Sequence, residues 1–256
     1  VLTGCTADTF TGADGAAPTD GSSGDVVVVA DVGTLDASCT PTSIACAANA
    51  QCNSFDDGPT SLPPWSDISE YGGQVSFESD QAVTCPDGLV ANVPVATANQ
   101  PPRAAIAGSA QITGIATAHA SLELDVIFPK APTGGATFLF MYPNTDSQNG
   151  IGIVWSNGWY VRDSLTDDQI QIDPRTDAWN HVKLDILFAQ SGGTGVIEFD
   201  YTDSNGTLQK PKLSKSTLGG AIPAITAITF GIGITPFGAT TAPMKLFIDD
   251  VVFSPF

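Results

Sequence analysis

The sequence predicts an all-β protein, an antiparallel β-sandwich that follows a disordered N-terminal tether. From about Phe55 onward, short runs of alternating apolar and polar residues are separated by clusters of Gly, Pro, Asn and Asp. This pattern is typical of strands joined by turns. No segment keeps a helical period of 3.6 residues over about ten residues. Residues 6–38 differ, because they consist mainly of Ala, Gly, Thr, Ser and Asp and contain no Lys or Arg.

The predicted strands are best marked where their turns are clearest. Ile151–Trp155 and Trp159–Asp163 flank Ser156-Asn157-Gly158, which indicates a β-hairpin. Asn180–Phe188 alternates four apolar residues with His181, Lys183 and Asp185, so one face should be buried and the other solvated. The remaining predicted strands are Gln74–Glu78, Ser121–Phe128, Thr137–Tyr142, Val196–Tyr201, Ile225–Ile234 and Lys245–Phe253.

Composition limits the partners of the protein. The 256 residues include 27 acidic and 9 basic ones, which gives a net charge of -18. A polyanion such as nucleic acid would be repelled, so we expect no nucleic-acid partner. We expect residues 1–38 to form a flexible acidic linker and residues 39–256 to form the sandwich domain.

The tetrapeptide Leu2-Thr3-Gly4-Cys5 resembles a bacterial lipobox, where a signal peptide is cut and the new N-terminal Cys is lipidated. The resemblance implies a lipid anchor on Cys5, and the acidic leader that follows suits a tether. We therefore expect a protein of the cell envelope or cell surface, in the outer membrane if the cell is Gram-negative. Contact with a membrane would then occur only through the anchor.

The other cysteines predict two disulfides, because their number is even and the expected location is outside the cytoplasm. They are Cys39, Cys46, Cys52 and Cys85. Four cysteines allow three connectivities, and the sequence does not choose among them. The favoured pairing is Cys39–Cys46 as a local loop and Cys52–Cys85 as a clamp.

Three short motifs carry a resemblance to known domains. Asn53-Ser-Phe-Asp-Asp-Gly58, with Trp65 and Gly72-Gly73 after it, looks like the start of β-sandwich carbohydrate-binding modules. Trp179-Asn-His-Val182-Lys-Leu184 and Phe247-Ile-Asp-Asp-Val-Val-Phe253 look like strands of laminin-G-type domains. The order of these pieces resembles concanavalin-A-like jelly rolls, a fold shared by lectins, laminin-G-type domains and some glucanases. The resemblance implies a jelly-roll β-sandwich and leaves the ligand open.

Glu123-Leu124-Asp125 invites comparison with the Glu-x-Asp-x-Glu strand of jelly-roll glucanases. Retaining chemistry needs two carboxyl groups about 5 Å apart. The position of the second Glu is occupied here by Ile127. We therefore reject this catalytic arrangement and keep Glu123 and Asp125 as candidate ligand-binding residues on a solvent-facing strand.

The aspartates near the two ends of the domain predict a structural Ca²⁺ site. In strict strand alternation one of Asp249 and Asp250 interrupts each apolar row of the last strand, and a carboxylate in an apolar row needs a partner or a cation. Related modules often hold Ca²⁺ between the first and last strands. The candidate ligands are Asp56, Asp57, Asp249 and Asp250. The alternatives are an Asp that accepts hydrogen bonds from backbone amides and an edge residue that faces water.

Aromatic residues supply the remaining candidate site. Trp155, Trp159 and Tyr160 lie on one hairpin with Arg162, and sugars stack on aromatic rings. If Trp159 fills the core, Tyr160 and Arg162 on the opposite face are the better binding pair, and Trp155 remains a candidate.

We therefore favour a non-catalytic module that binds a polysaccharide or cell-surface glycan, or an adhesion module. One alternative is a degenerate or unrecognised polysaccharide hydrolase or lyase, which would draw a second carboxylate from Glu198 or Asp200. The other alternative is a purely structural surface module.

Overall fold

The computed structural model of the chain describes residues 46–47, 50–55, 67–78, 82–83, 87–97, 101–111, 119–130, 132–143, 150–164, 168–176, 178–188, 195–215 and 225–255. The chain divides after Leu35, and all described residues belong to the second unit, Asp36–Phe256. The linker at residues 6–38 therefore lies outside the described residues. So do Cys5, Cys39, Asp56, Asp57 and Cys85.

The regular elements of the described ranges are β-strands. They are β1 (Gln51–Asn53), β2 (Asp67–Tyr71), β3 (Gln74–Glu78), β4 (Gly88–Val93), β5 (Arg103–Gln111), β6 (His119–Ile127), β7 (Ala136–Pro143), β8 (Ile151–Trp155), β9 (Trp159–Asp163), β10 (Gln169–Ile172), β11 (Asn180–Leu187), β12 (Gly195–Thr202), β13 (Leu208–Gln209), β14 (Lys212–Lys215), β15 (Ala227–Pro236) and β16 (Met244–Pro255). None of the described segments is a helix with the length and apolar character needed to span a membrane.

These strands form two antiparallel sheets that pack as a sandwich. The nine-stranded sheet has the order β13-β12-β11-β6-β16-β4-β3, with β1 beside β16 and β14 beside β12. The seven-stranded sheet has the order β10-β9-β8-β7-β15-β5-β2. The predicted all-β jelly-roll sandwich is confirmed for the described residues.

The core lies between the sheets and follows from the alternation of apolar residues. Leu122, Leu124 and Val126 of β6 are fully buried, as the sequence predicted. Across the sandwich, Phe230 of β15 packs on Phe253 of β16 with ring centroids 4.5 Å apart. Full burial of a side chain of this size stabilises the fold by about 1.5–3 kcal/mol.

The predicted hairpin at Ser156-Asn157-Gly158 is confirmed. Trp155 pairs with Trp159 across it, and the amide of Ser156 donates a 2.9 Å hydrogen bond to the carbonyl of Gly158. Asn157 adopts a φ of 57°, a conformation that Asn tolerates better than most residues. The hairpin fixes which residues of β9 face the core and which face solvent.

Strict alternation in the last strand was a wrong prediction. The register of β16 against β6 shifts between Asp249 and Val252, and Asp250 has a φ of 49°. A β-bulge adds one residue to a strand and so changes which residues face the core. The core face of β16 therefore passes from Ile248 to Val251, and neither Asp249 nor Asp250 interrupts its apolar row.

The favoured disulfide pairing was also wrong. Cys46 is bonded to Cys52, with the two Cα atoms 5.9 Å apart, so neither Cys39–Cys46 nor Cys52–Cys85 exists in this structure. The bond ties the segment that enters the domain to β1, where Cys52 pairs with Val252 of β16. Cys52 is only six positions from Cys46, so it forms a short local loop with Cys46 and not the long clamp with Cys85.

Candidate functional site

A groove of about 490 Å³ lies on the outer face of the seven-stranded sheet. Its described lining comes from β5, β7, β8, β9 and β15 and from residues directly next to β8, β9 and β15. A groove of this size can hold a small ligand or a segment of a polymer.

Small residues form the floor of the groove. Ala105 and Ala107 of β5 and Gly152 of β8 line it. A side-chain carbon on Gly152 would lie 2.7 Å from the carbonyl oxygen of Leu139, so this position needs Gly. Without bulky side chains at these three positions, this part of the sheet surface stays open to a ligand.

Aromatic residues line the walls. Phe140 and Tyr142 stack with ring centroids 5.6 Å apart and an interplanar angle of 11°. The ring of Phe140 occupies the space that a Cβ atom of Gly231 would fill, which fixes the ring over β15. Phe237, at the far end, is 51 % exposed. Exposed aromatic surface of this kind packs well against the C–H faces of sugars.

The predicted alternation of β9 is confirmed. Trp159 is 4 % exposed and packs in the core against Phe128 and Phe138, with ring centroids 4.9 Å apart in both pairs. Tyr160 and Arg162 therefore face outward, and Arg162 lines the groove. That these two residues bind a ligand stays a prediction.

Trp155 lies elsewhere. It faces inward, packs on Trp159 at 5.3 Å and is half-buried. It lines a second cavity of about 310 Å³ together with Lys130, Asp173 and Arg175. The structure thus separates Trp155 from Tyr160 and Arg162.

Glu123 and Asp125 are on the opposite side of the sandwich, on the outer face of the nine-stranded sheet. His181 of β11 contacts both, at 3.0 Å from Glu123 and 3.2 Å from Asp125. The hydrogen bond to Asp125, reinforced by the charges of Asp125 and Glu123, raises the pKa of His181 to about 9 against the opposing effect of burial. His181 is therefore a cation at neutral pH, and it partly neutralises the two carboxylates.

The alternative carboxylates, Glu198 and Asp200, share this face with Glu123 but are also paired. Lys212 lies 3.3 Å from Glu198, and Lys210 contacts Asp200. Lys183 pairs with Asp200 in register on one side and with Glu123 on the other, so it lies between the two carboxylates. Neither cavity described above includes any of these acids.

Asp249 is fully buried on the outer side of β16, opposite Asp125. Its Oδ2 atom accepts a 2.7 Å hydrogen bond from the amide of Val83, and its Oδ1 atom accepts one of 2.9 Å from the amide of Asp250. These hydrogen bonds satisfy the carboxylate in the way that the sequence offered as an alternative to a cation. Since Asp56 and Asp57 lie outside the described residues, Ca²⁺ binding stays a prediction.

Sequence reasoning missed Arg103, Phe140 and Phe237 in the groove lining. A signal was present, because small residues recur at every second position in Ala105-x-Ala107 and Gly231-x-Gly233. Such a repeat in a strand marks a face without bulky side chains.

No family model matches the sequence, and no curated protein does. Among solved structures, the chain is similar to the cellulose induced protein Cip1, with 15 % identity, 80 % of this chain and 96 % of that chain covered, and a TM-score of 0.55. It is also similar to the alginate lyase vAL-1 from Chlorella virus (13 % identity, 75 % and 93 % covered, TM-score 0.48) and to arcelin-5, a lectin-like defence protein from Phaseolus vulgaris (10 % identity, 82 % and 99 % covered, TM-score 0.47). The likeness to Cip1 shows the concanavalin-A-like jelly-roll fold.

Proposed function

We propose that the groove on the seven-stranded sheet binds a glycan without cleaving it. The observation that carries the proposal is the combination of a small-residue floor, at Ala105, Ala107 and Gly152, with aromatic walls. A floor of this kind lets a sugar chain approach the backbone closely, while the rings supply apolar contact. The concanavalin-A-like fold, which lectins share, is compatible with such a ligand but does not select it.

The polar groups of the groove suit recognition of hydroxyl groups. Thr137 and Thr235 line it with hydroxyl groups that can donate and accept. Ser164 also lines it, and its hydroxyl donates to the carbonyl of Gly150 and can still accept a hydrogen bond. Sugar binding combines such hydrogen bonds with stacking on rings. Phe140, Tyr142 and Phe237 supply the rings.

The titratable groups of the groove favour binding over cleavage. Its described lining contains Arg103, Arg162 and Tyr142 and no carboxylate or histidine. Burial raises the pKa of Tyr142, with a smaller opposing effect from its hydrogen bond to Thr229, so Tyr142 is neutral at physiological pH and is a poor general base. Both histidines of the chain lie on the other sheet.

A glycan array with the full chain tests the proposal. We expect binding by the wild type, a clear loss for Phe140→Ala and no change for Lys212→Gln, which removes a charge from the opposite sheet. The array should be run with and without Ca²⁺, and bound glycans should be analysed for cleavage products. Equal binding by all three proteins would contradict a site in the groove, and released oligosaccharides would contradict the non-catalytic assignment.

We also propose that the protein acts at the cell envelope, held by lipid on Cys5. This residue lies outside the described ranges, and the proposal rests on the lipobox-like sequence Leu2-Thr3-Gly4-Cys5. Mass spectrometry of the mature N-terminus, with Cys5→Ser as the control, tests it. An unmodified N-terminus upstream of Cys5 would contradict it.

A further inference from the structure

We infer that the glycan in the groove is an acidic chain whose anionic groups contact Arg103 and Arg162 through different sugar units. This inference rests on the proposed function and adds the chemical class of the ligand. The protein carries a net charge of -18 and only nine basic residues. Two of the nine, Arg103 and Arg162, line the same groove, and its described lining contains no acid.

The groove thus concentrates positive charge in an acidic protein. Arginine presents a planar fork of donors that binds carboxylate and similar anionic groups through two parallel hydrogen bonds. Arg103 is exposed, and within the described part of the chain no hydrogen bond or ion pair engages its side chain. By contrast, Lys183, Lys210, Lys212 and Lys245 are each within reach of a carboxylate.

The register of the strands places the two arginines far apart. Starting at Arg162, one row of paired residues crosses the sheet through Gly152, Phe140 and Gly231 to Ala107. Four strand spacings correspond to about 19 Å. Arg103 then lies four residues along β5 from Ala107, which adds about 13 Å in the perpendicular direction.

The two backbone positions are therefore on the order of 20 Å apart. Side chains of a strand stand roughly perpendicular to the sheet, so the guanidinium groups stay separated. One anionic group cannot accept hydrogen bonds from both, because such bonds are about 3 Å long. The arrangement fits an oligomer that crosses the sheet diagonally, over the aromatic pair Phe140 and Tyr142, and presents an acid at each end.

Titration calorimetry with the full chain tests this inference. The carboxylated probes are galacturonic acid and its hexamer, the neutral control is the carboxyl-reduced hexamer, and a dextran sulfate oligomer compared with dextran tests for sulfate instead of carboxylate. We expect an acidic oligomer to bind at least about tenfold more tightly than its neutral counterpart, the size of one charged hydrogen bond. Preference for either acidic oligomer supports the inference, and the hexamer should exceed the monomer by a similar factor.

The variants assign the effect to the two arginines. Arg103→Gln and Arg162→Gln should each weaken binding of the preferred acidic oligomer by about tenfold, and the double variant by about a hundredfold, because sites this far apart act additively. Lys212→Gln removes one charge from the other sheet and should change nothing. Arg103→Lys and Arg162→Lys should restore part of the affinity.

Three results would overturn the inference. Equal binding of acidic and neutral oligomers, lost only in Phe140→Ala, would leave a neutral glycan site and remove the acidic specificity. A double variant no weaker than either single variant would show that both arginines contact one group. An equal loss in Lys212→Gln would show unspecific attraction, whereas failure of every glycan to bind would remove the proposed function itself.

Discussion

The two outer faces of the sandwich use charge in opposite ways. On the nine-stranded sheet, basic and acidic residues of neighbouring strands pair with one another, as His181 does with Glu123 and Asp125. On the seven-stranded sheet, the groove has Ala and Gly on its floor, aromatic walls and two arginines. A face that has satisfied its own charges has few groups left for a ligand, whereas the groove presents open surface and the exposed side chain of Arg103.

This difference indicates a division of labour within one fold. The paired face stabilises the sandwich by small increments, because exposed ion pairs contribute about 0–1 kcal/mol each. The groove face has small residues at Ala107 and Gly152. These positions contribute little packing, but they leave the sheet surface accessible to a ligand. Variants on the two faces should therefore separate stability from binding.

Filling the groove should have the largest effect. Ala107 is on the floor, opposite Gly231, and Ala107→Trp places an indole where the ligand lies. We expect glycan binding to fall below detection in calorimetry while the melting temperature changes little. The control is Val196→Trp, which adds the same ring to the outer face of β12. Binding that survives in Ala107→Trp and is lost in Val196→Trp would reverse the assignment of the faces.

Removing the disulfide should lower stability without affecting binding. The bond joins residues separated by six positions, and closing a loop of that length contributes about 2 kcal/mol by chain entropy. The combined variant Cys46→Ala and Cys52→Ala should reduce the free energy of unfolding in urea by that amount. Glycan affinity should stay the same, since β1 pairs in the nine-stranded sheet. Loss of affinity at equal stability would link the disulfide to the groove.

Titration of His181 should give a smaller effect on stability. Because its pKa is raised from 6.5 to about 9 in the folded protein, its contribution is fully present below pH 6.5 and is lost as the pH rises through about 9. The side chain is 61 % exposed, so solvent screening limits the contribution to about 1 kcal/mol or less. Urea unfolding between pH 6 and pH 9.5 measures it. His181→Gln should flatten this part of the pH profile, and an unchanged slope would show that His181 is not its source.

Breaking one surface ion pair should have the smallest effect. Lys212→Gln removes the partner of Glu198 at 3.3 Å, between two half-exposed side chains. We expect the free energy of unfolding to change by about 0.5 kcal/mol or less. A double-mutant cycle with Glu198→Gln measures the pair, and a coupling of several kcal/mol would contradict the view that this face contributes in small increments.

Sequence analysis predicted the strands that have strong apolar alternation, among them β7, β8, β9 and β15 of the groove, and missed β5, which forms part of the groove floor. Asn180–Phe188 was predicted with its buried and solvated faces, because Val, Leu and Ile alternate with charged residues. Arg103–Gln111 was not predicted as a strand, because it reads Arg-Ala-Ala-Ile-Ala-Gly-Ser-Ala-Gln and Ala and Gly have low β propensity. Ala105 and Ala107 leave the groove open, and the same small residues give β5 too little β propensity to be predicted as a strand.

The site was predictable only in part for a related reason. Arg162 follows from alternation on a hairpin once Trp159 is in the core, and Tyr160 faces outward with it but is not among the residues that line the groove. The distance between Arg162 and Arg103, by contrast, depends on strand order across β9, β8, β7, β15 and β5, and strand order is not a local property of the sequence. The bulge at Asp249 and Asp250 also depends on how β16 pairs with β6. Its effect is large, because one inserted residue reverses the facing of all later residues in the strand.

The measurement that most directly compares the two faces is amide hydrogen exchange of the full chain with and without the tightest-binding glycan of the array. Exchange should slow on ligand binding in peptides from β5, β7 and β8, whose residues line the groove, and should stay the same in peptides from β6, β11 and β12. Protection confined to β6, β11 and β12, where Glu123, His181 and Glu198 lie, would contradict the assignment of the groove as the ligand site.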